Sequence, residues 1–315
     1  MRAIRQTGFG GPELLALVEA PRPVPLPTEV LVRVVAAGVN PCDVKTGRGE
    51  AMAPVVGEPP FTLGWDVSGV VEEVGFGVTT LAPGDEVYGM PWFPRAAGGH
   101  AEYVTAPARH FARKPKSVDH VHAAALPLAA LTAWQALTDT AGVREGDRVL
   151  VHAGAGGVGH LAVQLARHLG CHVTTTARAH HHRWLRELGA HDCVDYTEGP
   201  FEERIGGIDV VLDLVGDDHE STGSRSLAVL EPGGLYVAIA SGAPHHLVHE
   251  FRERGFAATS FLVEPDGAAL RHIADLVDSG ALRVEVAGVL PLEDAADAYR
   301  EVATERVRGK VVLEL

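Results

Sequence analysis

The sequence lacks the features of several large protein classes. Three cysteines, Cys42, Cys171 and Cys193, stand far apart with no C-x-x-C pair, so neither a disulfide framework nor a structural zinc site is expected, and a reducing compartment suits them. The net charge of −14 argues against a general nucleic-acid binder. No apolar run approaches the roughly 18 residues of a membrane span, and residues 1–6 show no signal-peptide pattern. We expect a cytoplasmic protein that binds neither nucleic acid nor membrane.

The first third of the chain predicts β structure. With 315 residues, 46% of them hydrophobic, the chain is long enough for two globular domains. Residues 1–115 are rich in Gly, Pro and Val and carry short β-type runs, for example at 30–35 and 69–74. Turn residues such as Pro83-Gly84-Asp85 separate these runs,. We expect an all-β, barrel-like module.

From about residue 118 the pattern changes to alternating helices and strands. A helix is predicted at 123–137, interrupted by Pro127, and apolar residues within 158–169 recur at helical spacing,. Strands are expected at 148–153, 172–176, 209–214, 235–240 and 310–315, and further helices at 183–188, 267–279 and 292–302. Such alternation predicts a doubly wound α/β domain.

A glycine-rich motif lies between the first of these strands and the helix that follows. It reads Gly154-Ala155-Gly156-Gly157-Val158-Gly159, a G-x-G-x-x-G in the strand–turn–helix context that a dinucleotide site requires. Glycines permit the tight turn and let the backbone approach the pyrophosphate, whose charge meets the helix N-terminus. The alternative is a glycine-rich turn without a ligand.

The residues that follow the second strand indicate which dinucleotide is bound. A site for NAD places Asp or Glu about 20 residues after the glycines, whereas this chain has Thr175-Thr176-Ala177-Arg178. Because a guanidinium pairs with a 2′-phosphate and a carboxylate repels it, NADP(H) is favoured. A solvated surface arginine is the alternative. The run His180-His181-His182 is interpreted as exposed, since neighbours on a helix diverge by about 100° and cannot share one metal.

Several further motifs carry a family resemblance. The chain resembles the zinc-independent quinone oxidoreductases, the zeta-crystallin-like branch of the medium-chain dehydrogenase/reductase superfamily, over nearly its whole length. The matching segments are GVNPCDVK (38–45), LGWDVSGVV (63–71), GHAEYV (99–104), LTAW (131–134), VHAGAGGVG (151–159), LVEPDG (262–267) and RGKVVL (308–313).

The resemblance implies an α/β protein with a GroES-like β-rich catalytic domain and a doubly wound Rossmann domain. Residues 1–118 and 262–315 would form the first and residues 119–261 the second, with the nicotinamide between them, in a homodimer. The cofactor contacts implied by motif and resemblance are Thr132, Gly154, Gly156, Gly157, Val158, Gly159, Thr176, Arg178, Tyr196, Phe261 and Val263.

The residues expected of a zinc enzyme are missing. Zinc-dependent members of the superfamily carry Cys at the position of Asn40 and Gly-His-Glu where this chain has Gly64-Trp65-Asp66. Catalytic zinc needs three protein ligands, so no metal is expected. Without a Lewis acid, a conjugated acceptor suits hydride transfer best because it spreads charge onto a remote oxygen. The expected substrate is therefore a quinone or an enone.

Three polar residues are candidates for the catalytic chemistry. Asn40 can orient the nicotinamide carboxamide or the substrate carbonyl, and Lys45, on the same segment as Asp43, can donate a proton or stabilise an enolate. Alternatively, Lys45 is a surface lysine or is paired with Asp43. Asp66, at the position of a former zinc ligand, is interpreted as structural and hydrogen-bonded. Two other functions remain open: a dedicated natural-product biosynthetic enoyl reductase or reductive cyclase, and a non-enzymatic NADPH-binding sensor or structural protein.

Overall fold

The computed structural model describes residues 1–217, 219–239 and 245–315. The strands, numbered β1 to β15 in chain order, are Arg2–Gln6, Leu15–Glu19, Glu29–Val39, Asp66–Val74, Glu86–Gly89, Tyr103–Pro107, Phe111–Arg113, Arg148–Val151, His172–Thr176, Asp192–Val194, Ile208–Asp213, Leu230–Ala238, Ala257–Ser260, Val286–Pro291 and Lys310–Glu314. The helices, α1 to α10, are Pro41–Gly47, Ala53–Val56, His120–Ala124, Pro127–Gln135, Gly159–His168, His182–Glu187, Thr222–Arg225, His245–Glu253, Gly267–Asp278 and Ala295–Ala303. No helix in these described ranges is long and apolar enough to cross a bilayer.

The chain divides into two compact units. Met1–Leu131 and Glu264–Leu315 form the first, and Thr132–Val263 form the second. The domain boundaries at 118/119 and 261/262 stay predictions. Residues 119–131 fall in the first unit because Asp66 Oδ1 accepts the Leu128 amide at 2.6 Å and Ser68 Oγ lies 2.8 Å from His120 Nδ1.

The first unit is built around the long strand β3. Its sheet has the order β14-β15-β3-β4-β5-β7, with β6 also pairing β3. Strand β15 runs antiparallel to β3, with Val311 opposite Val39. Apolar side chains such as Val32 and Val67 are fully buried, and burial of such side chains in several core clusters supplies the main stabilisation,. The C-terminal segment is therefore an integral part of this sheet.

The second unit is a parallel sheet flanked by helices. Its strand order is β10-β9-β8-β11-β12-β13, and each neighbouring pair is parallel. With the six strands numbered along the chain, the order is 3-2-1-4-5-6. The strand order reverses between strands 1 and 4, which are β8 and β11, and sheets of this kind bind dinucleotides at that point. The β-rich unit and the doubly wound α/β unit predicted from the sequence are thus confirmed.

Most predicted elements form, with shifts at their ends. The predicted strand at 172–176 is β9 without change. The predicted helix at 123–137 is two helices, because α3 ends at Ala124 and α4 begins at Pro127, and a π-helical turn at Ala136–Thr140 follows α4. A proline is tolerated at a helix start but removes a hydrogen bond in its interior. Strand β12 begins at Leu230, earlier than predicted, and Ala240 lies outside the described residues.

Candidate active site

The glycine motif forms a tight loop between β8 and α5. A Cβ on Gly154 would overlap Thr175 Oγ1 on β9, and one on Gly159 would overlap the carbonyl oxygen of Ala153. Only glycine therefore fits at either end. A Cβ on Gly156 would meet nothing closer than Ala153 O at 3.3 Å, so the backbone there is open to a ligand. The absent side chains shape a cradle that a dinucleotide pyrophosphate fits.

A series of hydrogen bonds on the buried side of this loop fixes its position. Ser226 Oγ donates to Thr222 O at 2.8 Å, so it accepts from His152 Nε2 at 2.9 Å. That leaves His152 Nδ1 to accept from Thr176 Oγ1 at 3.0 Å, and Thr176 Oγ1 in turn accepts from the Ala153 amide at 3.3 Å,. Burial lowers the pKa of His152, which favours the neutral ring that this series of hydrogen bonds needs.

Thr176 therefore acts on the loop from inside the protein. Its side chain is buried, and the hydroxyl is occupied by His152 and Ala153. The prediction that Thr176 contacts the cofactor remains untested, but its clearest role is to hold the glycine loop in place. Sequence analysis missed His152 and Ser226. A histidine within an apolar strand directly before a glycine motif was the available signal for His152.

Arg178 and Tyr196 are neighbours because their strands are in register. Thr176 on β9 pairs with Val194 on β10, and each of the two residues lies two positions beyond its strand. Arg178 Nε donates to Tyr196 Oη at 3.2 Å, and both side chains are exposed. The terminal guanidinium nitrogens have no hydrogen-bond partner among the described residues. The pair offers N–H and O–H donors of the kind a phosphate needs.

An acid lies close to this pair but faces away from solvent. Asp195 Oδ2 accepts the Ala179 amide at 2.6 Å, and Oδ1 accepts the amide and hydroxyl of Thr197 at 2.8 and 2.6 Å. Burial raises the pKa of Asp195, but these bonds outweigh burial and leave the pKa below its ordinary value. Asp195 thus shapes the two turns that carry Arg178 and Tyr196.

The remaining predicted cofactor contacts lie at the ends of the second unit. Thr132 and Val263 are buried. Phe261 is partly buried, and its amide donates to Ala238 O at 3.0 Å, which continues the pairing of β12 with β13. Phe261 and Val263 follow the carboxyl end of β13, the same edge of the sheet at which the glycine loop follows β8. Their contact with the cofactor stays a prediction.

Asn40, Asp43 and Lys45 lie together at α1 in the first unit. Asp43 is fully buried, and its carboxylate accepts the amides of Asn40 at 2.8 Å and Gly64 at 3.1 Å. Burial raises the pKa of Asp43, partly offset by His100 and the Asn40 amide. With both oxygens used in this way, Asp43 is suited to fixing the start of α1, and its catalytic role stays a prediction. Lys45 is partly buried on the same helix.

Asn40 is bonded to a buried ion pair that the sequence did not reveal. Lys310 Nζ donates to Asn40 Oδ1 and, at 3.0 Å, to Asp66 Oδ2, which also accepts Asn40 Nδ2 at 2.8 Å. All three side chains are at most 3% exposed. A charge is buried at tolerable cost only when it is paired and hydrogen-bonded, and here both conditions are met.

These residues do not fit a catalytic zinc. Asn40 stands where zinc-dependent members carry cysteine, and its amide oxygen is taken by an ammonium group. Trp65, at the histidine position, is buried, and its Nε1 donates to Arg95 O at 2.7 Å. Within the ranges that the structure describes, no group of three His, Cys, Asp or Glu residues could hold a metal ion. The donor set here is that of a buried hydrogen-bond network.

Two family models match the chain. Residues 26–116 match the model described as alcohol dehydrogenase GroES-like domain, and residues 188–313 match the model described as zinc-binding dehydrogenase. The first covers most of the β-rich part of the first unit. The second covers strands β10 to β13 of the parallel sheet and the C-terminal segment. Its name refers to zinc, which the residues around Asn40 do not suit.

Characterised proteins are similar over nearly the whole chain. A 2-haloacrylate reductase from Burkholderia sp. is 35% identical, with 96% of each chain covered. An NADPH-dependent alkenal/one oxidoreductase of Arabidopsis thaliana is 35% identical, covering 99% of this chain and 79% of the relative. The solved structure of a quinone oxidoreductase from Coxiella burnetii is 37% identical, has a TM-score of 0.94 and covers 100% of this chain and 99% of its own.

Proposed function

Because the chain belongs to the medium-chain dehydrogenase/reductase superfamily, in its zinc-independent quinone oxidoreductase branch, we propose that it reduces quinones or enone-type carbon–carbon double bonds with NADPH. The environment of Asn40 carries this proposal. A neutral amide held by Lys310 and Asp66 stands where a metal ligand would be. Such a site favours an acceptor that disperses its own charge.

The second unit would hold the cofactor. The glycine loop and the first turn of α5 would receive the pyrophosphate, since backbone N–H groups at a helix N-terminus attract anions. Arg178 and Tyr196 would bind the 2′-phosphate, which supports NADPH rather than NADH. The enzyme uses a nicotinamide cofactor, as its relatives do, and when bound this cofactor supplies a hydride.

The first unit would hold the acceptor. Asn40 would donate an N–H hydrogen bond to the acceptor's carbonyl oxygen, on which negative charge grows during reduction. Lys45 would supply the proton that completes the reaction, acting as a general acid. The chain's contribution is then binding, orientation and proton delivery, and the acceptor's conjugation replaces Lewis-acid activation.

The experiment compares NADPH and NADH consumption across a panel of acceptors. The panel contains 1,4-benzoquinone, 9,10-phenanthrenequinone, a linear enone, a simple aldehyde and, in reverse, a secondary alcohol, each with and without a chelator. We expect NADPH-preferring turnover of the quinones or the enone that the chelator does not change. Turnover of the alcohol alone, or loss of activity with chelator, would overturn the proposal. Tight NADPH binding without any turnover would favour a sensor.

A homodimer and a cytoplasmic location are also proposed. Strand β13 ends the parallel sheet, and an edge strand with open backbone groups is a template for pairing with a second copy. Sedimentation should give about twice the chain mass of 33.3 kDa, and the mass of one chain would reject the dimer. The free thiols of Cys42, Cys171 and Cys193 support a reducing compartment, which cell fractionation tests.

A further inference from the structure

The side-chain amide of Asn40 is held in one orientation by opposite charges at its two ends. Lys310 Nζ has only donors, so the atom that faces it must be the amide oxygen. Asp66 Oδ2 only accepts, so the atom 2.8 Å from it must be the amide nitrogen,. Turning the amide over would set its oxygen against the carboxylate and its N–H groups against the ammonium. Both contacts would be repulsive, so the ion pair selects one orientation.

This arrangement uses one N–H of Asn40, and the second N–H of the amide has no acceptor among the described residues. Nδ2 carries two hydrogens, and Asp66 takes one of them. In the described part of the chain, no other acceptor bonds to Asn40 Nδ2. The amide oxygen, in contrast, is occupied. A ligand that reaches Asn40 therefore finds a donor.

We propose that Lys310 is a positioning residue of the reduction, which together with Asp66 makes Asn40 present an N–H group to the acceptor's carbonyl oxygen. The inference rests on the proposed function, since it takes a quinone or enone carbonyl as the ligand of Asn40. Lys310 does not touch the acceptor itself. It acts by fixing the amide, and it does so from a strand distant in sequence, 270 residues from Asn40.

The chemistry needs a donor at this point. Hydride addition forms one C–H bond on the acceptor, moves the conjugated π pair onto the carbonyl oxygen and leaves an anion that is protonated afterwards. The hydride and its two electrons come from the reduced nicotinamide cofactor of the proposed reaction, which is oxidised in return. A fixed N–H stabilises the growing negative charge without reorganisation, whereas an amide oxygen turned the other way would repel it.

The test removes both charges together, because a single Lys310→Met change would bury an unpaired Asp66 carboxylate. The double variant Asp66→Asn/Lys310→Met, the single variant Asn40→Ala and the triple variant are compared with the parent protein. Tyr88→Phe is the matched control. It also removes a buried polar group of the first unit, a hydroxyl that donates to Leu270 O at 2.5 Å.

Three quantities are measured for each protein. They are kcat with NADPH and 9,10-phenanthrenequinone, the dissociation constant of NADPH by fluorescence, and the affinity of the NADP⁺-loaded protein for 4-nitrophenolate, an aromatic oxyanion. The double variant should lose about tenfold to a hundredfold in kcat and in phenolate affinity, with NADPH binding unchanged. The triple variant should be no worse than Asn40→Ala, because Lys310 acts through Asn40. The control should match the parent.

Two results would overturn the inference. One is full kcat and full phenolate affinity in a folded double variant, and the other is a triple variant whose loss is the product of the two separate losses. Should the double variant not fold, Asp66→Asn/Lys310→Leu, which also leaves no charge and no donor at position 310, is judged by the same criteria. A parent protein that turns over no quinone or enone would refute the proposed function instead, while the phenolate measurement would still judge the role of Lys310.

Discussion

Replacing Arg178 by alanine should weaken the enzyme's use of NADPH and leave its use of NADH nearly unchanged. Arg178 is the basic residue that bonds to Tyr196 beyond β9 and β10, and among the described residues only its Nε has a hydrogen-bond partner, at 3.2 Å. Hydrogen bonds to charged groups contribute about 1.5 to 3 kcal/mol. Because Arg178 is exposed, solvent screening favours the lower end of that range. A loss of about 1.5 to 2 kcal/mol corresponds to roughly a 10- to 30-fold rise in the KM for NADPH.

The assay measures KM for NADPH and for NADH at a fixed saturating concentration of one quinone, at low and at high salt. Arg183→Ala is the matched control, since Arg183 is 93% exposed and pairs only with Glu187 in the described structure, at 3.1 Å. The advantage of the parent over Arg178→Ala should shrink at high salt, because salt screens exposed charges. An equal change in both KM values, or no change in either, would refute the assignment of Arg178 to the 2′-phosphate.

Two further predictions concern the glycine loop and the acid stability of the first unit. Gly154→Ala would force its Cβ against Thr175 Oγ1, so we expect NADPH affinity to fall at least about tenfold and the free energy of unfolding to fall by about 1 to 3 kcal/mol. The control Gly206→Ala, whose Cβ would have nothing within 4 Å, should match the parent in an NADPH titration and in thermal unfolding. Burial lowers the pKa of His110 from 6.5 to about 4, so the unfolded chain binds a proton first and stability falls as pH drops from 6.5 towards 4. Between pH 7 and pH 5, the free energy of unfolding measured in urea should fall by about 2 kcal/mol less in His110→Gln, which keeps an acceptor for the Trp92 amide, than in the parent protein. Equal decreases in the two proteins would contradict this.

The parts of the fold that could be predicted are those set by local pattern. An apolar run identified β8 and helical spacing identified α5, and the G-x-G-x-x-G between them identified the glycine loop, where Gly154 and Gly159 allow close packing that no other residue permits. The interruption predicted at Pro127 is confirmed, since α3 ends at Ala124 and α4 begins at Pro127. Local rules of this kind act within a few residues, which is why they could be applied without any knowledge of the fold.

The polar core of the first unit was not predictable in the same way. Lys310 bonds to Asp66, 244 residues earlier in the chain, and the two come together because β15 pairs with β3 and β3 pairs with β4. A lysine beside an apolar run looks like the solvated end of a strand, so its burial could not be inferred. Asp43 was predicted as a polar group of the active-site cleft, and its bond to the Gly64 amide could not be foreseen because the two residues are remote in sequence.

In the second unit, different residues fix the glycine loop and select the cofactor. Thr176 is turned inward and fixes the loop through His152 and the Ala153 amide. Arg178, two residues later, is turned outward and meets Tyr196. The two sets of hydrogen bonds share no atom, and mutations without shared partners usually have additive effects. Changes at Arg178 should therefore alter the preference for NADPH over NADH without loosening the glycine loop, while changes at His152 should weaken the binding of both cofactors alike.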